Sequence, residues 1–98
     1  MKGKVVIITG SSSGIGKSCA FEFSKLGANL MLVARSEIKL REISEEINKN
    51  GGNSTFFATD VSIEKECNEM VQKTISFFGQ IDILVNNAGI SMRSIFND

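Results

Sequence analysis

The chain has 98 residues, 42% of them hydrophobic and 22% charged, with eleven basic residues balancing eleven acidic ones. That is an ordinary globular composition, long enough for one small domain. The zero net charge leaves no electrostatic footprint for nucleic acid or an anionic membrane. The apolar run after Met1-Lys2-Gly3-Lys4 is too short for a signal peptide or a membrane span. The two cysteines, Cys19 and Cys67, fall on the apolar stripes of two predicted helices and read as buried free thiols in a reducing cytoplasm. With no histidine and no close cysteine pair, no metal site is expected.

Along the chain, strand and helix patterns alternate. The first strand is Val5 to Thr9. A helix from Ile15 to Leu26 carries Ile15, Cys19, Phe23 and Leu26 at helical spacing and ends near Gly27. The second strand is Asn29 to Val33. The second helix starts after Ser36, a good N-cap, presents Leu40, Ile43 and Ile47 on one face, and stops at Gly51-Gly52. The third strand runs from about Ser54 to Ala58, with Phe56 and Phe57 pointing one to each sheet face. The third helix, Ser62 to Phe78, turns Ile63, Cys67, Met70, Val71 and Ile75 inward. The fourth strand is Ile81 to Val85. Helices between successive strands require parallel strands joined by right-handed crossovers. The predicted fold is therefore α/β, a Rossmann-type doubly wound parallel sheet of strand order 3-2-1-4. Ile81, Ile83, Leu84 and Val85 read as a strand covered on both faces, yet the chain runs only to Asp98. Such a strand left as an open edge is an aggregation liability, so the expectation is the N-terminal half of a larger Rossmann domain.

The turn between the first strand and the first helix is Thr9-Gly10-Ser11-Ser12-Ser13-Gly14-Ile15-Gly16. A buried strand, a turn with three glycines and a helix N-terminus form a layout that binds a dinucleotide pyrophosphate. Gly10 allows a backbone conformation closed to other residues, Gly14 lets phosphates approach the main chain, and Gly16 lets helix and strand pack closely. Three further positions recur at the ends of strands. Arg35 and Ser36 follow the second, Asp60 and Val61 the third, and Asn86-Asn87-Ala88-Gly89 the fourth. On the residues alone, Arg35 also reads as a solvated charge, Asp60 as a carboxylate favouring the start of a helix, and the asparagines as a turn.

The Gly-x-x-x-Gly-x-Gly spacing after a threonine, with Asn-Asn-Ala-Gly after the fourth strand, resembles the short-chain dehydrogenase/reductases. The resemblance covers the chain from Lys4 to about Ile90. It implies that Gly10, Ser12, Ser13, Gly14, Ile15 and Gly16 hold the pyrophosphate. It also implies that Asp60 accepts from the adenine amino group, that Val61 lies against the ring, and that Asn87, Ala88 and Gly89 line the nicotinamide ribose. Aligned through Gly27-Ala28, the slot where an NAD-binding relative places an acid holds Ala34, and Arg35 follows. A guanidinium there clamps a 2′-phosphate that a carboxylate would repel, so NADP is expected over NAD, with Ser36 adding a hydroxyl. No basic residue stands at Ser13, where many NADP-dependent relatives carry one.

The activity implied for the parent protein is hydride transfer between NADPH and a carbonyl or alcohol. The parent is expected to be cytoplasmic and homo-oligomeric, with a small-molecule substrate and no nucleic acid or membrane partner. The family's chemistry needs a Tyr-x-x-x-Lys pair and a Ser to hold and move the proton. The chain has neither tyrosine nor histidine, so no catalytic residue is assigned within it and the chain alone is expected to be inactive. The alternative is a non-catalytic nucleotide-binding module or an inert truncated product. A methyltransferase using S-adenosylmethionine fits less well, because its chemistry calls for neither Arg35 nor the Asn-Asn-Ala-Gly loop.

Overall fold

A computed structural model describes residues 1–61 and 64–87. The elements in chain order are β1 (Val5–Thr9), α1 (Gly14–Lys25), β2 (Asn29–Ala34), α2 (Glu37–Lys49), β3 (Asn53–Ala58), α3 (Glu64–Phe78) and β4 (Ile83–Asn86). The strands form one sheet of order β3-β2-β1-β4, and every neighbouring pair is parallel. The predicted fold class and strand order are those observed. The strand bounds shift by one or two residues, with β4 beginning at Ile83 instead of Ile81.

Strict alternation divides each strand between two cores. Val6, Ile8, Leu30 and Leu32 pack with Ala20 of α1 and with Leu40, Ile43 and Ile47 of α2, and Phe56, Ile83 and Val85 join that side. Ile7, Met31 and Val33 pack on the opposite face with Cys67 and Met70 of α3, joined by Phe57 and Leu84. Both faces of the sheet are thus covered, which is why β1 and β2 read as continuous apolar runs. At β4, the edge of the described sheet, Ile83, Leu84 and Val85 are only half buried.

Two helical stripes differ from expectation. In α1 the buried residues are Gly16 and Ala20, whereas Ile15 and Leu26 are 74% and 58% exposed. The helix lies too close to the sheet for large side chains, so its small residues face inward. Ile15, half-buried Cys19, Phe23 and Leu26 instead line an open apolar groove along its flank. In α3 the inward position beside Met70 belongs to Thr74, fully buried, whose hydroxyl donates to the Met70 carbonyl at 2.8 Å. Ile75, one residue and 100° further round, is exposed. The predicted first residues of this helix, Ser62 and Ile63, lie outside the described residues. Among the described residues no helix is long and apolar enough to cross a membrane.

Side chains complete the backbone pairing at the sheet edges. The Ser54 amide on β3 donates to Asn48 Oδ1 of α2 at 2.7 Å, and the Ser44 and Ser54 hydroxyls lie 2.8 Å apart. Below β4, Asp82 joins the last strand to the first. Its Oδ2 accepts from the Val5 amide and from Gln80 Nε2, both at 2.8 Å, and its own amide donates to the Val5 carbonyl at 2.9 Å. The Val5 N–H and then Gln80 hold the Asp82 carboxyl below its ordinary value; desolvation opposes them and outweighs the further lowering by the charge of Lys4. A carboxyl with a depressed folded pKa stabilises the fold above its unfolded pKa, and that contribution is lost as the pH falls through the folded value. Asp82→Ala is therefore expected to lower the thermal midpoint at pH 7. The gap from wild type should close as the pH drops below about 4; melting both proteins across pH 2–7 reads this directly.

Candidate dinucleotide site

Because all four strands run the same way, their C-terminal ends open onto one edge of the sheet. The loops after β1, β2 and β3 and the turn after β4 meet there, and they carry every described residue that the sequence assigned to the site. Ala88 and Gly89, like Ser91-Met92-Arg93, lie outside the described residues.

The loop after β1 is held on two sides. Gly10 takes φ +65°, a left-handed conformation that turns the chain away from β1. Ser11, fully buried, donates from its amide and its hydroxyl to the Val33 carbonyl of β2 at 3.2 and 3.4 Å. From the other side Asn87 Nδ2 donates to the Gly10 carbonyl at 3.3 Å. Below it, the Thr9 hydroxyl donates to Asn86 Oδ1 at 3.2 Å. Thr9, Ser11 and Asn86 were not among the assigned residues. For two of them a signal was available: Thr9 and Ser11, fully buried polar side chains at and just past the end of an apolar strand, need partners, whereas exposed Asn86 offered only its place in the Asn-Asn-Ala-Gly segment.

Gly16 fixes how closely α1 approaches this loop. A Cβ built there would stand 2.1 Å from the Gly10 carbonyl oxygen and 2.8 Å from Asn87 Nδ2. The first turn of α1 therefore sits directly over the end of β1. Ser13 is its N-cap, with extended backbone and no side-chain cap bond, and the first turn carries no acid. The first N–H groups of a helix lack intrahelical partners, and the dipole makes them attractive to an anion. Ser12 is half buried and Ser13, Gly14 and Ile15 are exposed, so the turn is open to solvent.

Beside this loop, Arg35 follows β2 and Asp60 follows β3. Nη2 of Arg35 lies 3.5 Å from Oδ1 of Asp60, and the two side chains are 79% and 40% exposed. Ser36 caps α2, its hydroxyl accepting from the Lys39 amide at 3.3 Å. Val61 turns its side chain into the α3 core, and its carbonyl accepts from the Cys67 thiol at 2.8 Å. Thr59, between the loop and β3, donates from its amide to the Ala34 carbonyl at 2.8 Å and from its hydroxyl to Glu66.

Gly16→Val tests the close approach. It places a branched side chain where even one carbon has no room, and overpacking of this kind costs about 1–3 kcal/mol or more. A clearly lowered denaturation midpoint is expected from chemical unfolding. A midpoint equal to that of wild type would mean that α1 can shift away from β1.

Comparison with known proteins places this geometry. The family model described as short chain dehydrogenase matches residues 4–98. A curated relative, the 11-beta-hydroxysteroid dehydrogenase-like 4A of Arabidopsis thaliana, is 50% identical over all of this chain and 33% of its own length. Among solved structures, the L-sorbose reductase of Gluconobacter frateurii complexed with NADPH and L-sorbose is 43% identical. It covers 91% of this chain and 34% of its own, with a TM-score of 0.87. A 7 alpha-hydroxysteroid dehydrogenase complexed with NADH and a bile-acid ketone is 34% identical over 87% of this chain and 33% of its own, with a TM-score of 0.85. The chain spans about a third of the length of each. With the match running from Lys4 to the last residue, the chain belongs to the short chain dehydrogenases.

Proposed function

We propose that this edge of the sheet binds a nicotinamide dinucleotide, NADP(H) in preference to NAD(H), for an oxidoreductase that interconverts a carbonyl and an alcohol. The carrying observation is the cradle at Gly10 and Gly16. The Gly10 carbonyl and Asn87 leave no space for a side chain at Gly16, which seats the uncapped, acid-free first turn of α1 over β1, and at Gly14 that turn is open. A pyrophosphate is the kind of anion such a cradle accepts.

The preference for NADP rests on Arg35 next to Ala34. No carboxylate stands there to accept from the ribose hydroxyls, and a guanidinium on the open edge offers paired donors to a 2′-phosphate. The relatives themselves include complexes with either coenzyme, NADPH in one and NADH in the other. In this reading Gly10, Ser12, Ser13, Gly14, Ile15 and Gly16 surround the pyrophosphate, Arg35 and Ser36 the 2′-phosphate, Asp60 and Val61 the adenine, and Asn87, Ala88 and Gly89 the nicotinamide ribose. The bound nicotinamide supplies the hydride. This chain's residues orient the coenzyme: Asn87 and Ser11 hold the glycine loop in place, and the helix turn neutralises phosphate charge.

The 98 residues are, in this reading, the N-terminal part of a single dinucleotide-binding domain in a longer cytoplasmic, homo-oligomeric protein. The proton of the reaction is handled by groups outside them. Relatives named for hydroxysteroids and for sorbose are consistent with a small-molecule carbonyl or alcohol, and the chain's own residues select none.

Two outcomes are expected. In the full-length protein, Arg35→Asp should weaken NADPH binding at least tenfold more than NADH binding, about 1.4 kcal/mol. The substitution removes a charge-assisted clamp and adds repulsion. Because Arg35 is largely exposed, the effect belongs at the low end for charge pairs. Equal losses for the two coenzymes in calorimetric titrations would sink the preference. The 98-residue chain by itself should oxidise no NADPH against a panel of ketones and aldehydes, since it holds no tyrosine or histidine to donate the proton. Turnover near 1 per second would show that another residue takes that role. Coenzyme binding without turnover fits both the proposed fragment and a module that binds nucleotide without catalysis. A longer gene product carrying Tyr-x-x-x-Lys separates them.

A further inference from the structure

The Arg35–Asp60 pair is unusual in where it stands. Both residues sit on the open edge of the sheet, one residue past β2 and two past β3, 25 positions apart in the chain. The register Ala34↔Ala58 and the bond from the Thr59 amide to the Ala34 carbonyl lock the two loops side by side. The side chains therefore emerge from a rigid base. An ion pair this exposed, closing at 3.5 Å, contributes little to folding. Its consequence is local. It restricts a long side chain that would otherwise sample many rotamers at a point where the proposed function needs it in one place.

We infer that Asp60 is a positioning residue for Arg35: it takes one edge of the guanidinium and leaves the remaining N–H groups turned to solvent as a preset fork for the 2′-phosphate. The inference rests on the NADP reading above and deepens it. Arginine presents five donors in a planar fork, so one contact to a carboxylate does not exhaust it. Pre-ordering one rotamer-rich side chain is worth about threefold to tenfold in affinity. The carboxylate also repels the phosphate, but its charge is already faced by Arg35, and the high dielectric at this exposed edge weakens the repulsion. Ordering therefore outweighs repulsion, and Asp60 raises selectivity for the phosphorylated ligand despite its negative charge.

The test compares 2′,5′-ADP with 5′-ADP on the full-length protein, by calorimetry, for wild type, Asp60→Asn, Asp60→Glu, Arg35→Ala and the Arg35→Ala/Asp60→Asn double variant. Both ligands carry the same adenine, so any contact of Asp60 with the base cancels in the ratio of their affinities. Asp60→Asn should reduce the preference for 2′,5′-ADP about threefold to tenfold, and Asp60→Glu should restore part of it. Arg35→Ala should reduce it further, and the double variant should match Arg35→Ala alone. If Arg35→Ala abolishes the preference while Asp60→Asn leaves it unchanged or raises it, the NADP reading stands and the positioning role falls. If wild type shows no preference, or Arg35→Ala does not alter it, both fall together. Circular dichroism of each variant guards against misfolding, and Asp60→Glu, which keeps the charge, reads the same role if Asp60→Asn fails to fold.

Discussion

One close contact governs the arrangement of this molecule: the approach of Gly16 to the Gly10 carbonyl, with no room for even a methyl group between them. The first turn of α1 is held over the end of β1, and its amide groups point across the open edge of the sheet. The same closeness dictates which face of α1 turns inward. Only small residues fit beneath a helix seated this low, so Gly16 and Ala20 are its buried residues, Cys19, Phe21 and Phe23 pack partly against the core, and Ile15 and Leu26 are displaced to the flank. The open helix turn proposed to bind an anion and the exposed groove are two results of one steric fact.

That fact also explains what the sequence revealed and what it hid. The strands were legible because β1 and β2 are covered on both faces and so consist almost wholly of apolar residues. Their order followed from the helical crossovers between them. Stripes on the helices were less legible, because periodicity weights residues by size and hydrophobicity, whereas the depth of packing is set by the smallest residue at the contact. In α1 the rule inverts, and Ile15 and Leu26 are outside. In α3 the misreading is finer: Thr74 is buried because its hydroxyl finds the Met70 carbonyl, which lets a polar residue take a place that Ile75 suited by composition alone.

Among the site residues, motif and position along the chain brought the glycine loop, Arg35, Asp60 and Asn87 to one edge, since parallel strands leave them no other place to meet. The pairings within that edge were not legible. The sheet order makes the loops after β2 and β3 neighbours, but whether their charged side chains touch depends on rotamers and on backbone bonds such as that from Thr59 to Ala34. Similarly, Asn87 was assigned to the candidate site and Asn86 was not, and the pairing of Asn86 with Thr9 and of Asn87 with Gly10 required the register Thr9↔Asn86.

That register joins β1 to β4, with Gly10 and Asn87 lying 77 positions apart in the chain. During synthesis at about 5–20 residues per second, the glycine loop is made roughly four to fifteen seconds before the asparagine that braces it. Until then it can take hold only of Val33, its anchor on β2. Long-range parallel pairing is also slow to form, because the entropy of closing so large a loop must be met before the contacts reward it. The proposed anion site is thus the first feature encoded and among the last assembled, so a ligand that grips it would recognise only chains whose fourth strand is already home.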